Sequence, residues 1–256
     1  MTANVKTAII TGASSGIGQA CAEIFAKGNW NIVVTARRIE KLDELKKRLM
    51  QQYPIQVFTL ELDVRKSDSG NTLAAFIAQH QLNPDLLINN AGLASGLDPI
   101  HKGQADDWEA MIDTNLKGLL YITRAISPLM VERRSGHIIN IGSIAGKEAY
   151  ANGNVYCATK HAVDGLTKAM RLDLVSFGIR VTQIAPGAAE TEFSQVRFHG
   201  DNQRAENVYK GYIPLKALDI ADAIWYCANV PTHVNINDLV IMPTAQAAAT
   251  VIHKVL

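Results

Sequence analysis

The sequence contains no apolar run of the roughly 18 to 20 residues that a membrane-spanning helix requires, so we expect no membrane insertion. Its first residues, MTANVKTAII, have an apolar part too short for a signal peptide. Cysteine is scarce, and Cys21, Cys157 and Cys227 show no paired spacing, which predicts a cytoplasmic protein without a disulfide framework. The seven histidines show no metal-ligand spacing, and we predict no metal site.

An excess of charge of one sign is also missing. The 25 basic residues are nearly balanced by 24 acidic ones, and the two kinds alternate, as in the segment EKLDELKKR at positions 40–48. This distribution argues against a nucleic-acid-binding stripe and against a polybasic membrane anchor. Hydrophobic residues make up 48% of the chain, which is enough for a full core. We therefore expect a globular protein with a small-molecule partner.

Short apolar runs rich in β-branched residues alternate along the chain with segments of helical period. The predicted strands are Lys6–Ile10, Asn31–Thr35, Gln56–Leu62, Leu86–Ile88, His137–Ile141, Arg180–Ile184 and Leu239–Met242. The predicted helices are Ile17–Lys27, Glu40–Gln52, about Ser67–His80, Asp106–Arg133, Val155–Phe177 and Asp219–Asn229. Strands separated by helices are typical of βαβ units, so the pattern predicts an α/β fold with a parallel sheet.

No internal repeat and no linker rich in Pro, Gly or Ser divides the chain. The simplest interpretation is a single domain over residues 1–256. An irregular segment near Thr191–Tyr212 is predicted to be a substrate lid, and the Ala-rich end, Pro243–Leu256, is predicted to pack as a tail.

A glycine-rich turn, TGASSGIG, follows the first strand and precedes the first helix. Glycines let the backbone turn sharply beside a pyrophosphate, and the start of the helix contributes N–H donors. The predicted dinucleotide-binding residues of this turn are Gly12, Ser14, Ser15, Gly16, Ile17 and Gly18. A plain strand-to-helix connection is the alternative. A hydrolase nucleophile elbow, G-x-S-x-G, also fits the letters but fails on order, because no earlier strand is available to supply its oxyanion loop.

The end of the second strand indicates which dinucleotide would bind. NAD sites typically carry Asp or Glu about 20 residues beyond the glycines, whereas this chain reads Thr35-Ala36-Arg37-Arg38. Two guanidinium groups would bind a 2′-phosphate through paired hydrogen bonds. The alternative is a pair of surface arginines that open a helix. We predict NADP as the cofactor, in preference to NAD.

Tyr156 and Lys160 lie four residues apart, so within a helix their side chains share a face. The spacing alone is weak evidence, because Tyr212 and Lys216 have it too, with Pro214 between them. A phenol is a poor base at neutral pH, and we expect the neighbouring ammonium to lower its pKa. Tyr156 is thus a candidate general acid/base.

Two further polar residues precede Tyr156. Ser143 ends the strand HIINIGS, at the sheet edge where open α/β folds bind ligands, and its hydroxyl is a candidate to hold the reacting oxygen. Asn115 lies within a helical pattern that Asn mildly disfavours. Alone, Ser143 would be a turn residue and Asn115 a helix irregularity or cap. It is their occurrence in this order with Tyr156 and Lys160 that indicates a catalytic role.

With these motifs the chain resembles the short-chain dehydrogenase/reductase family over nearly its whole length. The motifs are TGASSGIG, LDV at 62–64, NNAG at 89–92, Asn115, Ser143, YCATK and the pair Pro186-Gly187. The resemblance implies a doubly wound, seven-stranded Rossmann sheet in one domain, flanked by helices. It also implies hydride transfer with NAD(P) and an Asn–Ser–Tyr–Lys tetrad.

By position, the resemblance also implies further roles. Lys160 would bind the nicotinamide ribose as well, and Asn115 would hold a proton-relay water. Asp63 and Val64 would border the adenine, and Gly187 would face the nicotinamide amide. The remaining residues that it places at the cofactor are Asn89, Asn90, Ala91, Gly92 and Pro186.

A closer similarity is to the NADP-dependent 3-hydroxy acid dehydrogenase branch, which includes serine and allo-threonine dehydrogenases. It is carried by NNAGLASGLDP, DDWEAMIDTN, TEFSQVRFHGD and HVNINDLVIMP. A small hydroxy-acid substrate, or the matching semialdehyde, needs a cation or a cluster of donors for its carboxylate. Arg197 is the first candidate and Lys147 the second, with a solvated surface role as the alternative for each, and Tyr150 is a further candidate substrate residue. The chain departs from the branch around GSIAGKEAYANGN, beside the expected substrate pocket.

Two other functions stay open: reduction of a larger ketone, aldehyde or 3-oxoacyl substrate, and a non-catalytic NADP sensor. A sensor has no need of Ser143, Tyr156 and Lys160 together. Family resemblance also suggests a homotetramer built on the helices Asp106–Arg133 and Val155–Phe177. Leu116, Leu119 and Leu120 would serve either that interface or the core.

Overall fold

A computed structural model describes residues 5–255, and these residues fold around one parallel sheet of seven strands in the order β3-β2-β1-β4-β5-β6-β9. The strands of this sheet are β1 Thr7–Thr11, β2 Asn31–Ala36, β3 Val57–Glu61, β4 Pro84–Asn89, β5 Gly136–Ile141, β6 Ile179–Pro186 and β9 Asp238–Ile241. The predicted fold class, a doubly wound Rossmann sheet, is confirmed. The order reverses between β1 and β4, and ligands of such sheets bind at this point, beyond the carboxyl ends of the strands.

Helices cover both faces of the sheet. The longer ones are α1 Gly16–Lys27, α2 Ile39–Gln52, α3 Ser69–Gln79, α4 Ala105–Ile112, α5 Leu119–Arg133, α6 Asn154–Leu174 and α9 Ala217–Asn229. Two short helices, α7 Phe193–Arg197 and α8 Asn202–Tyr209, occupy the predicted lid segment, beside a two-stranded pair, β7 Ala189–Glu190 and β8 Leu215–Lys216. No helix within residues 5–255 is long and apolar enough to cross a membrane.

The central strands are apolar on both faces, and the structure shows why. In β1, Ala8 and Ile10 pack into the core on one side of the sheet, while Ile9 between them packs into the core on the other. Side chains of a strand alternate between faces, so a doubly covered strand needs apolar residues at every position. Burying a side chain such as Ile9 stabilises the fold by about 1.5–3 kcal/mol.

The predicted helix Asp106–Arg133 differs from the observed structure in one respect. The segment Asp113–Gly118 is a π-helix that separates α4 from α5. A π-helical turn contains one extra residue, and such turns often occur at functional sites. The predicted helix Val155–Phe177 corresponds to α6 followed by a 3₁₀ turn at Val175–Phe177.

Buried amides tie the middle of the sheet to the helices on one face. The Asn89 side chain on β4 donates to Thr123 of α5 at 2.8 Å and to Asn140 of β5 at 2.9 Å. Asn140 in turn donates to Thr167 of α6 at 3.0 Å. Because buried polar groups are costly unless they are hydrogen-bonded, this chain of bonds fixes how α5 and α6 sit on the sheet.

Candidate active site

The glycine-rich turn lies at the carboxyl end of β1, beside the switch point of the sheet. Gly12 and Gly16 have φ values of 68° and 55°, in the left-handed region that glycine adopts without strain. A Cβ on Gly12 would lie 2.9 Å from the Cα of Ala91, so the turn also needs glycine for close approach to the strand β4 loop. The turn therefore presents bare backbone at the start of α1, as a pyrophosphate site requires.

A cavity of about 540 Å³ runs along this edge of the sheet. The predicted site residues that line it are Gly12, Ser14, Ser15, Gly16, Ile17, Arg37, Arg38, Asp63, Val64, Asn90, Ala91, Gly92, Ser143, Tyr150, Tyr156, Lys160, Pro186, Gly187 and Arg197. Strands β2 and β5 are three places apart in the sheet, roughly 14 Å at the usual spacing of ~4.8 Å. The cavity thus joins the basic pair after β2 to Ser143 after β5, over a length that suits a dinucleotide.

Four of the predicted site residues do not line the cavity. Gly18 packs under the turn, where a Cβ would lie 2.5 Å from the carbonyl oxygen of Gly12. Asn89 belongs to the buried amide chain between β4 and β5. Asn115 lies behind the loop after β4. Lys147 forms ion pairs with two carboxylates of the sheet edge and α6, so its prediction as a substrate ligand is corrected to a structural role.

The two arginines of the basic pair, Arg37 and Arg38, have different surroundings. Arg38, which precedes the first residue of α2, donates to the hydroxyls of Ser14 and Ser15 at 3.0 Å each. Arg37 is exposed at the mouth of the cavity, and its charge contributes to the lowered pKa of Asp63, although the hydrogen bond from Arg65 is the larger cause. The cavity beside the glycine turn thus has one guanidinium held by hydrogen bonds, that of Arg38, and one exposed guanidinium, that of Arg37.

Ser143, Tyr156 and Lys160 come together from two elements. Ser143 follows β5 and accepts a hydrogen bond from the Ala145 backbone N–H at 3.1 Å, which fixes the 3₁₀ turn Ile144–Gly146. Tyr156 and Lys160 lie one turn apart on the buried face of α6, 8% and 6% exposed. The Lys160 Nζ lies 5.9 Å from the centroid of the Tyr156 ring and donates to the carbonyl of Ile141 at 2.9 Å.

The electrostatics of this cluster differ from the expectation. Burial raises the pKa of the Tyr156 phenol far above its usual value, against the opposing effects of the Ser143 hydroxyl and the Arg197 charge. Burial also lowers the pKa of the Lys160 ammonium to about 8. The expected lowering of the phenol pKa by Lys160 is therefore not observed, because desolvation outweighs it and the ammonium is directed at Ile141. The Tyr156 phenol is therefore neutral near pH 7.

Asn115 sits in the π-helical turn between α4 and α5, and it is 2% exposed. Its side-chain oxygen accepts from the Leu93 N–H, and its amide nitrogen donates to the Leu93 carbonyl, both at 2.8 Å. The same nitrogen donates to the Thr159 hydroxyl at 3.1 Å. Asn115 therefore joins the loop after β4 to the helix that carries Tyr156 and Lys160, whereas its role in holding a water stays a prediction.

The lid segment covers the Tyr156 ring. Phe193 of α7 lies 5.6 Å from that ring between centroids. The Arg197 guanidinium lies 5.5 Å from the centroids of both Tyr156 and Tyr150, and it donates to the Tyr150 hydroxyl at 2.8 Å. Within residues 5–255, no carboxylate forms an ion pair with Arg197, so a cation without a counter-ion faces the cavity beside the phenol.

Gln246 and Glu192 are two of the polar cavity residues that sequence reasoning missed. The side-chain oxygen of Gln246, in the tail after β9, accepts from the Ala188 N–H at 2.8 Å and so fixes the loop after β6. The sequence offered one indication of this role, because Gln246 is a single amide side chain in an Ala-rich stretch. Glu192, at the start of the lid, pairs with Arg38 at 2.8 Å. The two residues are 154 positions apart in the sequence, so no local spacing predicts this contact.

Comparison with known proteins gives consistent results. The model of the short chain dehydrogenase family matches residues 6–202. The NADP-dependent 3-hydroxy acid dehydrogenase YdfG of Escherichia coli strain K12 is 45% identical over 242 residues, which cover 94% of this chain and 96% of that protein. Sulfoacetaldehyde reductase 2 of Chromohalobacter salexigens is 42% identical over 240 residues, with 93% and 94% covered.

Among solved structures, the closed form of serine dehydrogenase complexed with NADP⁺ is similar to this chain with a TM-score of 0.91. The sequences are 44% identical, and the match covers 97% of this chain and 100% of that one.

Proposed function

Because this chain belongs to the short-chain dehydrogenase family, we propose that it is an NADP-dependent oxidoreductase of small 3-hydroxy acids. It oxidises the β-hydroxyl of serine, allo-threonine or 3-hydroxypropionate, or reduces the matching semialdehydes. The observation that carries this proposal is that one cavity contains a basic pair, a buried Ser–Tyr–Lys cluster and Arg197, which pairs with no carboxylate of residues 5–255.

The residues of the cavity fit NADP. The backbone of Gly12, Ser15 and Gly16 would hold the pyrophosphate, and Arg37 and Arg38 would bind the 2′-phosphate. By their place in the fold, Asp63 and Val64 would border the adenine, Asn90 its ribose, and the Gly187 backbone the nicotinamide amide. NADP supplies, when bound, the ring that accepts or gives the hydride.

Tyr156 moves the proton. In oxidation, the substrate hydroxyl loses its proton to the deprotonated Tyr156 oxygen, and the hydrogen on the same carbon would leave as hydride to the nicotinamide ring. In reduction, the phenol returns the proton to the carbonyl oxygen. Because burial raises the phenol pKa, the neutral acid predominates near pH 7, which favours reduction and makes oxidation faster at alkaline pH. The Ser143 hydroxyl holds the reacting oxygen at the sheet edge.

Arg197 and Tyr150 bind the substrate carboxylate. The guanidinium is partly buried, lies over the Tyr156 ring and lacks a carboxylate partner within residues 5–255. A carboxylate one methylene away from the reacting carbon would satisfy it. A sulfonate at the same place is a second candidate, because Arg197 would bind either anion and a relative 42% identical is a sulfoacetaldehyde reductase.

A panel of substrates with Tyr156→Phe tests the proposal. We expect NADP reduction with serine, allo-threonine or 3-hydroxypropionate, and a loss of several orders of magnitude in kcat in the variant while NADP binding is kept. Tyr226→Phe, an exposed tyrosine on α9, is the matched control and should keep wild-type turnover. Turnover of bulky ketones without any small hydroxy acid would instead identify a reductase of larger carbonyls. Unchanged turnover in Tyr156→Phe would contradict the mechanism.

We also propose a cytoplasmic homotetramer built on the helices around residues 106–133 and 155–177. Leu119 is buried in the core, whereas Leu120 is 39% exposed and is available to an interface. Light scattering on the purified protein measures the mass directly, and a monomer would overturn this assignment.

A further inference from the structure

The carboxylate of Glu192 forms ion pairs with basic residues at the start of α2. Its two oxygens accept from Arg38 at 2.8 Å and from Lys41 at 3.0 Å. Burial alone would raise the pKa of Glu192, but the hydrogen bonds from Arg38, Lys41 and Ser15 lower it to about 2. The carboxylate is therefore charged throughout the physiological range and balances two cations.

One of these two cations, Arg38, is also one of the two arginines that the proposed function assigns to the 2′-phosphate. Arg38 also donates to Ser14 and Ser15 in the glycine turn, so its guanidinium is held in place between the turn and the lid. A 2′-phosphate that bound Arg38 would come within a few ångströms of Glu192, and like charges at that distance repel. Phosphate and carboxylate cannot both use the same N–H donors.

We propose that Glu192 is a specificity-determining residue that occupies the 2′-phosphate subsite as an internal anion and is displaced by NADP. The inference rests on the proposed use of NADP and goes beyond it. A dinucleotide without a 2′-phosphate leaves the Glu192 contacts in place. NADP replaces them and has to break two ion pairs, so Glu192 reduces the advantage that Arg38 gives to NADP.

The displacement also reaches the lid. Glu192 immediately precedes α7, and this helix carries both Phe193 and Arg197, which lie against the Tyr156 ring. The contact with Arg38 therefore fixes one end of the segment whose other end covers the phenol. Release of Glu192 frees the start of α7 at the moment when the cofactor enters.

Calorimetric binding of adenosine 2′,5′-bisphosphate and of ADP to Glu192→Gln tests the proposal. We expect Glu192→Gln to bind the bisphosphate about three- to tenfold more tightly than the wild type does. This range corresponds to the free energy of one or two half-exposed ion pairs. ADP binding should not change, and added salt should shrink the gain. Glu190→Gln makes the same charge change two residues away on an exposed side chain and should bind both ligands as the wild type does.

A second readout is amide hydrogen exchange over residues 191–197. The bisphosphate should increase exchange there in the wild type and have little effect in Glu192→Gln. If Glu192→Gln bound the bisphosphate no more tightly than the wild type does, the inference about Glu192 would be overturned. The use of NADP would still stand, provided that the wild type itself prefers a ligand with a 2′-phosphate. If neither the wild type nor Glu192→Gln bound the bisphosphate better than adenosine 5′-monophosphate, which lacks only the 2′-phosphate, both the inference and NADP use would be overturned.

Discussion

Replacement of Arg197 by Met tests the substrate site most directly. Met keeps an unbranched apolar stem similar to that of Arg but removes the charged guanidinium beside Tyr156. A hydrogen bond to a charged partner contributes about 1.5–3 kcal/mol, so kcat/KM for 3-hydroxypropionate should fall by about 10- to 150-fold. Oxidation of 1-propanol, which has no carboxylate, should change by less than about threefold.

The assay is NADP reduction with both substrates, expressed as the ratio of their kcat/KM values. Tyr150→Phe keeps the guanidinium and removes the 2.8 Å bond that orients it, so an intermediate loss is expected. Arg204→Met, an exposed arginine of α8 in the same segment, controls for lost charge and should leave the ratio unchanged. If Arg197→Met lowered both substrates equally, or neither, Arg197 would not be the carboxylate ligand.

Three further predictions concern the cofactor, the proton and the fold. Arg37→Asp should lower the ratio of kcat/KM with NADP to kcat/KM with NAD by about 10- to 100-fold, because it replaces a cation that binds the 2′-phosphate with an anion that repels it. An unchanged ratio in steady-state kinetics would contradict the NADP assignment of this loop. Lys160 is proposed to bind the nicotinamide ribose, and its pKa is lowered to about 8, so carbonyl reduction should decline above pH 8 as Lys160 loses its charge while Tyr156 stays protonated; a flat rate profile to pH 10 would show that this role does not need the Lys160 charge. Burial lowers the pKa of His137 to about 3, against 6.5 for a free histidine, so the unfolded state binds more protons and stability is lost as pH falls below 6.5. The loss at pH 5 is about 2 kcal/mol, and His137→Val should remove this slope in urea unfolding; equal slopes would contradict it.

The fold could be predicted because its signals are local. The apolar run Thr7–Ile10, the turn TGASSGIG and the helix after it are adjacent in sequence, and each is fixed by its own residues. The sequence indicated a helix irregularity at Asn115 as one alternative, but not its π-helical form, in which the Asn115 side chain contacts Leu93 and Thr159 from other elements.

The candidate site was predictable to the same extent. Tyr156 and Lys160 share a helix face by spacing alone, and this geometry is observed. Their pKa values were not predictable, because burial sets them and burial is a property of the whole fold. Lys147 was misassigned for a similar reason. Its partners, Asp164 and Asp238, are distant in sequence, and only their meeting at β9 removes the lysine from the cavity.

The buried amide chain from Thr123 through Asn89 and Asn140 to Thr167 restricts how this sequence can diverge. Replacing one member alone leaves its neighbour buried without a hydrogen-bond partner, which lowers the free energy of unfolding by about 1–3 kcal/mol. Replacing two neighbours together with apolar groups of equal shape is nearly neutral. Descendants of this chain should therefore alter these positions in pairs, and a lineage that has lost one amide should have lost its partner as well.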